Sequence, residues 1–250
     1  MRTLRLGVLV ALLVVVLVPA IYGPLARALF PTESAHIYQR VSLIALFGQH
    51  IVLAGFATVG AAIVGVSLGV LVTRPSGRSL IPLVRDLAAL AQTIPPVAVL
   101  VLAVPVLGYG TEPTVLALFL FSVLPILGNT VTGLQQVDPA LLEASTGMGM
   151  RDWRRLIVTE LPLASPVILA GVRTAAIISI GTATIGATIG AGGLGVVIIA
   201  GLVRDNLAFI TAGAAASALL ALIVDWFFGL AANRVIRVQQ GDGAGRGARR

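Results

Sequence analysis

The sequence predicts an all-α polytopic membrane protein with about six transmembrane helices. Three observations carry that prediction. Hydrophobic residues make up 58% of the 250 and charged residues only 11%, against about half and about a quarter in soluble globular domains. Several apolar runs reach the roughly 20 residues that a helix needs to cross a bilayer. All seventeen basic residues are arginines, and nearly all of them sit in the breaks between those runs.

The elements follow in order. Arg2 and Arg5 precede the first apolar run, residues 6–21. It is expected to stay as an uncleaved span, because Val18-Pro19-Ala20 is only a loose match to the cleavage site of a secretory signal. A more polar stretch over 24–50 holds both histidines, His36 and His50, with Arg27, Glu33 and Arg40. Residues 1–48 thus read as an N-terminal helix and an outer loop. The second span, 51–73, carries glycines at 55, 60, 65 and 69, a small-residue stripe suited to close helix packing. Arg74, Pro75, Gly77, Arg78 and Arg85 mark a basic loop. The third span, 87–107, is interrupted by Pro95-Pro96, and 108–113 makes a turn.

The fourth span is 114–134, the fifth 166–189 and the sixth 209–232, with the glycine-rich run Gly190-Ala191-Gly192-Gly193-Leu194-Gly195 after the fifth. Residues 49–234 form one transmembrane domain. Residues 235–250, rich in glycine and arginine, are expected to be a disordered cytoplasmic tail.

Six spans put both termini on one side. Thirteen arginines then share that side: 2, 5, 74, 78, 85, 151, 154, 155, 234, 237, 246, 249 and 250. Only Arg27, Arg40 and Arg204 face the other, and Arg173 falls inside the fifth span. Arginine-rich loops stay in the cytoplasm. The expectation is a multi-pass membrane protein with both termini and the 138–162 loop in the cytoplasm. The net charge of +7 is explained by these loops and calls for no nucleic acid.

Several function classes drop out. With no cysteine there is no disulfide, thiolate metal site or cysteine nucleophile. With no lysine there is neither a P-loop nor a Schiff base. If ATP drives this protein, another chain binds it with its magnesium, and no cofactor is expected in this one. Gly65-Val66-Ser67-Leu68-Gly69 matches the nucleophile-elbow pattern but lies inside a glycine-striped span rather than at a strand-to-helix turn. The nearest histidine, His50, lies roughly 25 Å away along a helix. Two histidines without cysteine make a poor metal set, so no catalytic or metal residue is expected.

The chemistry-bearing stretch is 138–162, DPALLEASTGMGMRDWRRLIVTELP. Asp138 before Pro139 signals a helix start, a side-chain acceptor followed by a preset φ. Glu143 and Gly147, four apart, share a helical face, and the glycines at 147 and 149 permit a sharp turn. A second short amphipathic helix fits Trp153, Leu156, Ile157 and Leu161 on one side, with Arg151, Arg154 and Arg155 elsewhere. A membrane protein gains little from exposed tryptophan, leucine and methionine unless a partner docks there.

Glu143-Ala144, Gly147 and the closing Leu161-Pro162 resemble the coupling loop of ABC importer permeases. Gln92-Thr93-Ile94-Pro95, Leu124-Pro125-Ile126-Leu127-Gly128-Asn129-Thr130, Gly147-Met148-Gly149-Met150 and Gly181-Thr182-Ala183-Thr184 resemble the osmoprotectant branch of that family. Ala103-Val104-Pro105-Val106 and the first span look like its Yeh-type betaine permeases. One departure is Ser145, which replaces the loop's common second alanine.

The resemblance implies a type I ABC importer transmembrane domain with a cytoplasmic coupling helix. It further implies import of glycine betaine, choline, carnitine or a related compound, driven by separate ATPase subunits. The implied partners are those ATPases, a second permease subunit (a copy or a different chain), an extracytoplasmic or periplasmic binding protein, and membrane lipid. The ATPase-coupling residues implied are Glu143, Ala144, Gly147, Met148, Met150, Trp153, Leu161 and Pro162. Gln92, Pro95, Pro96, Asn129, Gly181, Thr182 and Thr184 are candidates for the pore or a subunit interface. A zwitterion without net charge needs no buried counter-ion in the spans. At 5% aromatic residues, the chain leaves recognition of a quaternary ammonium to the binding protein. The alternatives are a self-contained secondary transporter, or a permease for another small solute such as an amino acid. Asp225, an acid within the sixth span, reads as an ion-pair partner of Arg234 or of a neighbouring helix.

Overall fold

A computed structural model describes the backbone of residues 2–247, and their side chains except at 2–3, 91–92 and 235–247. The chain is helical throughout its regular elements. In order these are α1 (Arg2–Leu17), α2 (Pro19–Leu29), α3 (Leu43–Thr73), α4 (Ile81–Thr93), α5 (Pro96–Leu107), α6 (Thr111–Gln135), α7 (Pro139–Gly147), α8 (Asp152–Arg155), α9 (Leu161–Gly186), α10 (Gly195–Arg204) and α11 (Leu207–Gly247). Short 3₁₀ turns at Arg78–Leu80 and Ala187–Ile189 and a π segment at Leu156–Glu160 complete the chain.

Four continuous helical stretches are long and apolar enough to cross a bilayer: Leu43–Thr73, Thr111–Gln135, Asp152–Ile189 and Leu207–Arg234. The six expected spans are corrected at two places. The first run is not straight: Pro19 starts a new helix, so Leu4–Leu17 and Pro19–Leu29 meet at 82° and count at most as one broken span. The third is split where the sequence places Pro95-Pro96. Proline 95 holds an extended backbone (ψ 131°) and caps α5, which has only 12 residues, about 18 Å of helix. Arg85 lies in α4 rather than in a loop, with its guanidinium donating to Gln135 Oε1 at 2.9 Å. Helical structure also begins ahead of the expected fifth span, at Asp152, and the backbone of α11 runs to Gly247.

The chain forms two compact units. The first comprises Met1–Gly60, Ile94–Ser122 and Ala176–Trp226. Its core gathers Tyr22, Ala26, Leu46, Val197, Ala208, Phe209 and Ala212, and the Tyr22 hydroxyl donates to the Ala208 carbonyl at 2.6 Å. Asn206 builds the start of α11: its Oδ1 accepts from Phe209 N at 2.9 Å while its amide donates to Ala35 O at 2.8 Å. Glu33 Oε1 accepts from Leu207 N at 2.8 Å, placing an acid at the positive end of that helix.

His50 does not lie in an outer loop. It sits inside α3, fully buried. Its Nδ1 accepts from Leu194 N at 3.3 Å and its Nε2 donates to Ile180 O at 3.0 Å, while Gln49 Oε1 accepts from Gly193 N. One neutral ring therefore joins α3, α9 and the glycine turn. That turn holds Gly192 at φ 83° and Gly193 at φ 73°, a region side chains rarely adopt, and it delivers the chain into α10.

The second unit comprises Ala61–Thr93, Val123–Ala175 and Phe227–Arg250. Here the glycine stripe of α3 does its packing. A Cβ at Gly65 would lie 3.0 Å from Ile126, and one at Gly69 only 2.6 Å from Thr130. A Cβ at Gly171 on α9 would lie 2.7 Å from that of Asn129 on α6. Absent side chains thus let three helices approach backbone to backbone, the packing available where lipid supplies no hydrophobic drive. Val72, Val84, Leu127 and Val131 fill the space beside them.

Candidate functional site: the α7–α8 surface

The polar interruption folds as a short helix, a turn and a second helical stretch. Asp138 caps α7 as its position before Pro139 predicts, with Oδ1 accepting from Ala140 N at 2.9 Å. The helix ends at Gly147, and Gly149 at φ 77° reverses the chain. The two glycines therefore differ. Gly149 needs its left-handed backbone, whereas Gly147 is helical and a Cβ there would meet nothing within 4 Å. Any demand for glycine at 147 comes from outside this chain.

After α8, the π segment Leu156–Glu160 runs into α9 without a break in the helical path. The widened turn falls just ahead of Pro162, which has no N–H to give and whose ring would press on the carbonyl four residues back.

Glu143, Ala144, Gly147 and Met148 are exposed on α7 and its end, and Met150 is half-buried. Beyond the turn Trp153 is 62% exposed, and Ile157 and Val158 are also open. Leu161 is half-buried and Pro162 exposed at the start of α9. The coupling candidates thus fall along one continuous segment of the second unit. Ser145, the departure from the family's alanine, points inward: it is buried, donates to Leu141 O at 2.8 Å and lies 3.2 Å from the Thr159 hydroxyl. A hydroxyl here ties α7 to the π segment and leaves the outer face unchanged.

Nothing in the sequence pattern singled out Glu160, yet it is the buried acid that two arginines of this region share. Its side chain is 6% exposed and is flanked by two arginines. Arg74, just past α3, gives it Nη2 to Oε2 at 2.5 Å and Nη1 to Oε1 at 3.3 Å, and Arg155 gives Nε to Oε1 at 3.1 Å. Arg155 also donates to Thr146 Oγ1 at 2.9 Å and pairs with Asp152 at 3.2 Å. A cavity of about 440 Å³ opens beside the cluster, lined by Arg74, Arg78 and Arg155 together with Gln135, Pro139 and Leu142. The usable signal was a glutamate two residues ahead of a proline in an arginine-rich loop.

The pore and interface candidates scatter more. Pro95 is exposed and Pro96 half-buried at the α4–α5 break. Gly181 is exposed with open space above it, Thr182 is half-buried, and Thr184 Oγ1 donates to Gly181 O at 2.7 Å. These five belong to the first unit. Asn129 belongs to the second, where its amide donates to Pro125 O at 2.8 Å. The side chain of Gln92 lies outside the described residues. Ser67, the centre of the nucleophile-like pattern, is exposed on α3.

Comparison with known proteins bears on this geometry. The family described as "Binding-protein-dependent transport system inner membrane component" matches residues 61–237. The carnitine transport permease protein OpuCD of Listeria monocytogenes is 44% identical over 184 residues, covering 73% of this chain and 82% of that protein. The osmoprotectant import permease protein OsmY of Salmonella typhimurium is 40% identical over 193 residues, covering 76% and 82%. Among solved structures, a chain of the inward-facing MetNI methionine ABC transporter superposes with a TM-score of 0.64 at 22% identity. The match covers 78% of this chain and 95% of that one, a likeness of fold.

Proposed function

The chain belongs to the family of binding-protein-dependent transport system inner membrane components, and from that premise we propose that it moves a small osmoprotectant across the bacterial inner membrane. Glycine betaine, choline and carnitine are the substrate class, supported by relatives whose names carry carnitine and osmoprotectant import at 44% and 40% identity. A binding protein delivers the compound outside, a second permease subunit completes the path, and separate ATPase subunits supply the energy. The chain itself performs no chemistry on ATP.

The observation that carries this reading is the α7–α8 surface. It presents Glu143, Ala144, Gly147, Met148, Trp153 and Ile157 to solvent between apolar spans. Thioethers and an indole give a partner large, adaptable contact area, and an unhindered glycine accepts a close approach. The arginine imbalance supports a cytoplasmic position for this surface and for both termini. That topology takes α1–α2 as one crossing and α4–α5 as another, each broken at a proline.

The test is reconstitution of this chain with its ATPase and binding protein in proteoliposomes. Uptake of labelled glycine betaine, choline or carnitine should require internal ATP and should resist competition by excess methionine. ATP-independent uptake driven by an ion gradient would refute the reading.

A further inference from the structure

We propose that Glu160 is a positioning residue for energy coupling, a node that fastens the α7–α8 segment to the end of α3. This rests on the reading of that segment as the ATPase-facing surface. Four elements meet at one carboxylate. Arg155 holds α7 through Thr146 and α8 through Asp152, and reaches Glu160 at the last residue of the π segment. Glu160 then passes the connection to Arg74 at the cytoplasmic end of α3 through both of its oxygens.

The arrangement is not what topology alone requires. An arginine that only orients a span is free to reach lipid headgroups and water. Arg74 and Arg155 instead keep 24% and 21% of their side-chain exposure, and both donate to one buried acid, Arg74 through two nitrogens and Arg155 through one. A buried ion pair adds little net stability over an apolar substitute of similar size, and its better-attested use is to fix one arrangement among several. Here the fixed arrangement joins the surface that meets the partner to two long helices, α3 and α9. The π segment between them is a wide turn of the kind found where helices carry function. A push on α7 therefore reaches α3 through Arg155, Glu160 and Arg74 rather than being absorbed in the turn at Gly149. The neighbouring cavity of about 440 Å³ leaves room for the cluster to move.

The experiment uses the full transporter in proteoliposomes and measures labelled glycine betaine moved per ATP hydrolysed. E160Q and R74Q should accumulate, retain the ATPase and hydrolyse ATP at near wild-type rates. Transport per ATP should fall about tenfold in each, and the double variant R74Q/E160Q should be no worse than either, because both remove one shared interaction. R74K, which keeps the charge, should restore part of the ratio. If E160Q does not accumulate, E160D keeps the charge but shortens the reach to Arg74, and the same fall is expected. An unchanged ratio in whichever Glu160 variant accumulates, or additive losses in the double variant, would overturn the inference alone. Failure of the wild-type chain to retain the ATPase would overturn the docking reading and this inference with it.

Discussion

Two glycines two positions apart in one loop carry different loads. Gly149 holds φ 77°, which an L side chain adopts only at a cost. Gly149→Ala should lower thermal stability of the solubilised protein by about 1–2 kcal/mol. Gly147 is helical with open space around its missing Cβ, so Gly147→Ala should change stability by no more than about 1 kcal/mol, in the favourable direction. A melting curve in detergent for each variant reads both effects. From the sequence alone the two looked alike, and the turn was assigned to the pair. What separated them was the backbone: α7 persists through Gly147, and only the next glycine, Gly149, must cross to positive φ.

Buried polar side chains were the least legible residues. His50 read as part of a polar outer stretch, because its neighbours Gln49 and Gly48 look like a loop. Their partners are backbone groups more than a hundred residues away, and no local pattern reports those. His50→Leu would leave Leu194 N without its acceptor in an apolar interior, while Ile180 O keeps its bond within α9. The expected loss of about 1–3 kcal/mol for the orphaned group should appear as a lowered melting temperature, whereas removing the exposed Tyr109 side chain should leave it unchanged.

At the scale of the element, the glycine stripe of α3 gives a graded prediction. Gly69 has 2.6 Å to Thr130, Gly65 has 3.0 Å to Ile126, Gly60 has an ordinary 3.5 Å contact with Phe119, and Gly55 has nothing within 4 Å. Leucine at 69 or 65 must push α6 aside, with an overpacking cost of about 1–3 kcal/mol, while leucine at 55 fits. Membrane abundance by blot should fall in the order 69, 65, 60, with 55 near wild type. Equal abundance for Gly69→Leu and Gly55→Leu would remove the seam as a packing element.

The stripe itself was readable from spacing only in part: Gly65 and Gly69, four apart, share a helical face, whereas each step of five turns Gly60 away from Gly55 and Gly65. Which of them meet another helix was not, because that depends on where α6 lies. The breaks at Pro19 and Pro95 were likewise visible as prolines, but an apolar run counts the same whether its helix is straight or bent by 82°. Length and hydropathy therefore gave six spans where, among the described residues, four continuous helices, one pair bent by 82° and the split α4–α5 stand. Helix α10 was missed outright: ten residues after a glycine run fall below the length that marks a span.

For the whole molecule, the arginine distribution predicts topology. Reporter fusions within the 138–162 loop and after Arg234 should read cytoplasmic, and a fusion within 31–39 should read external. An external signal from a reporter at Trp153 would sever the α7–α8 surface from any cytoplasmic ATPase. The absence of lysine from the chain leads to a second whole-molecule expectation. The purified permease should show no specific ATP binding in a nucleotide-binding assay, since a P-loop cannot be built; saturable binding would contradict it.

The family and its fold were legible because the resemblance, unlike a buried network, is carried by short contiguous stretches such as 138–162. The central claim is that this stretch receives the ATPase, and the most direct measurement is retention of the ATPase by membranes carrying wild type or Gly147→Asp, normalised to permease abundance. The substitution should leave the contacts of α7 in place, because apart from its chain neighbours and its own helix backbone nothing lies within 4 Å of the new Cβ. It should therefore leave abundance unchanged while ATPase retention and labelled betaine uptake fall together, by about tenfold or more for a clash and an added charge at an interface centre. Full retention and full uptake by Gly147→Asp at wild-type abundance would mean that the α7–α8 surface is not where this permease takes up the energy of ATP.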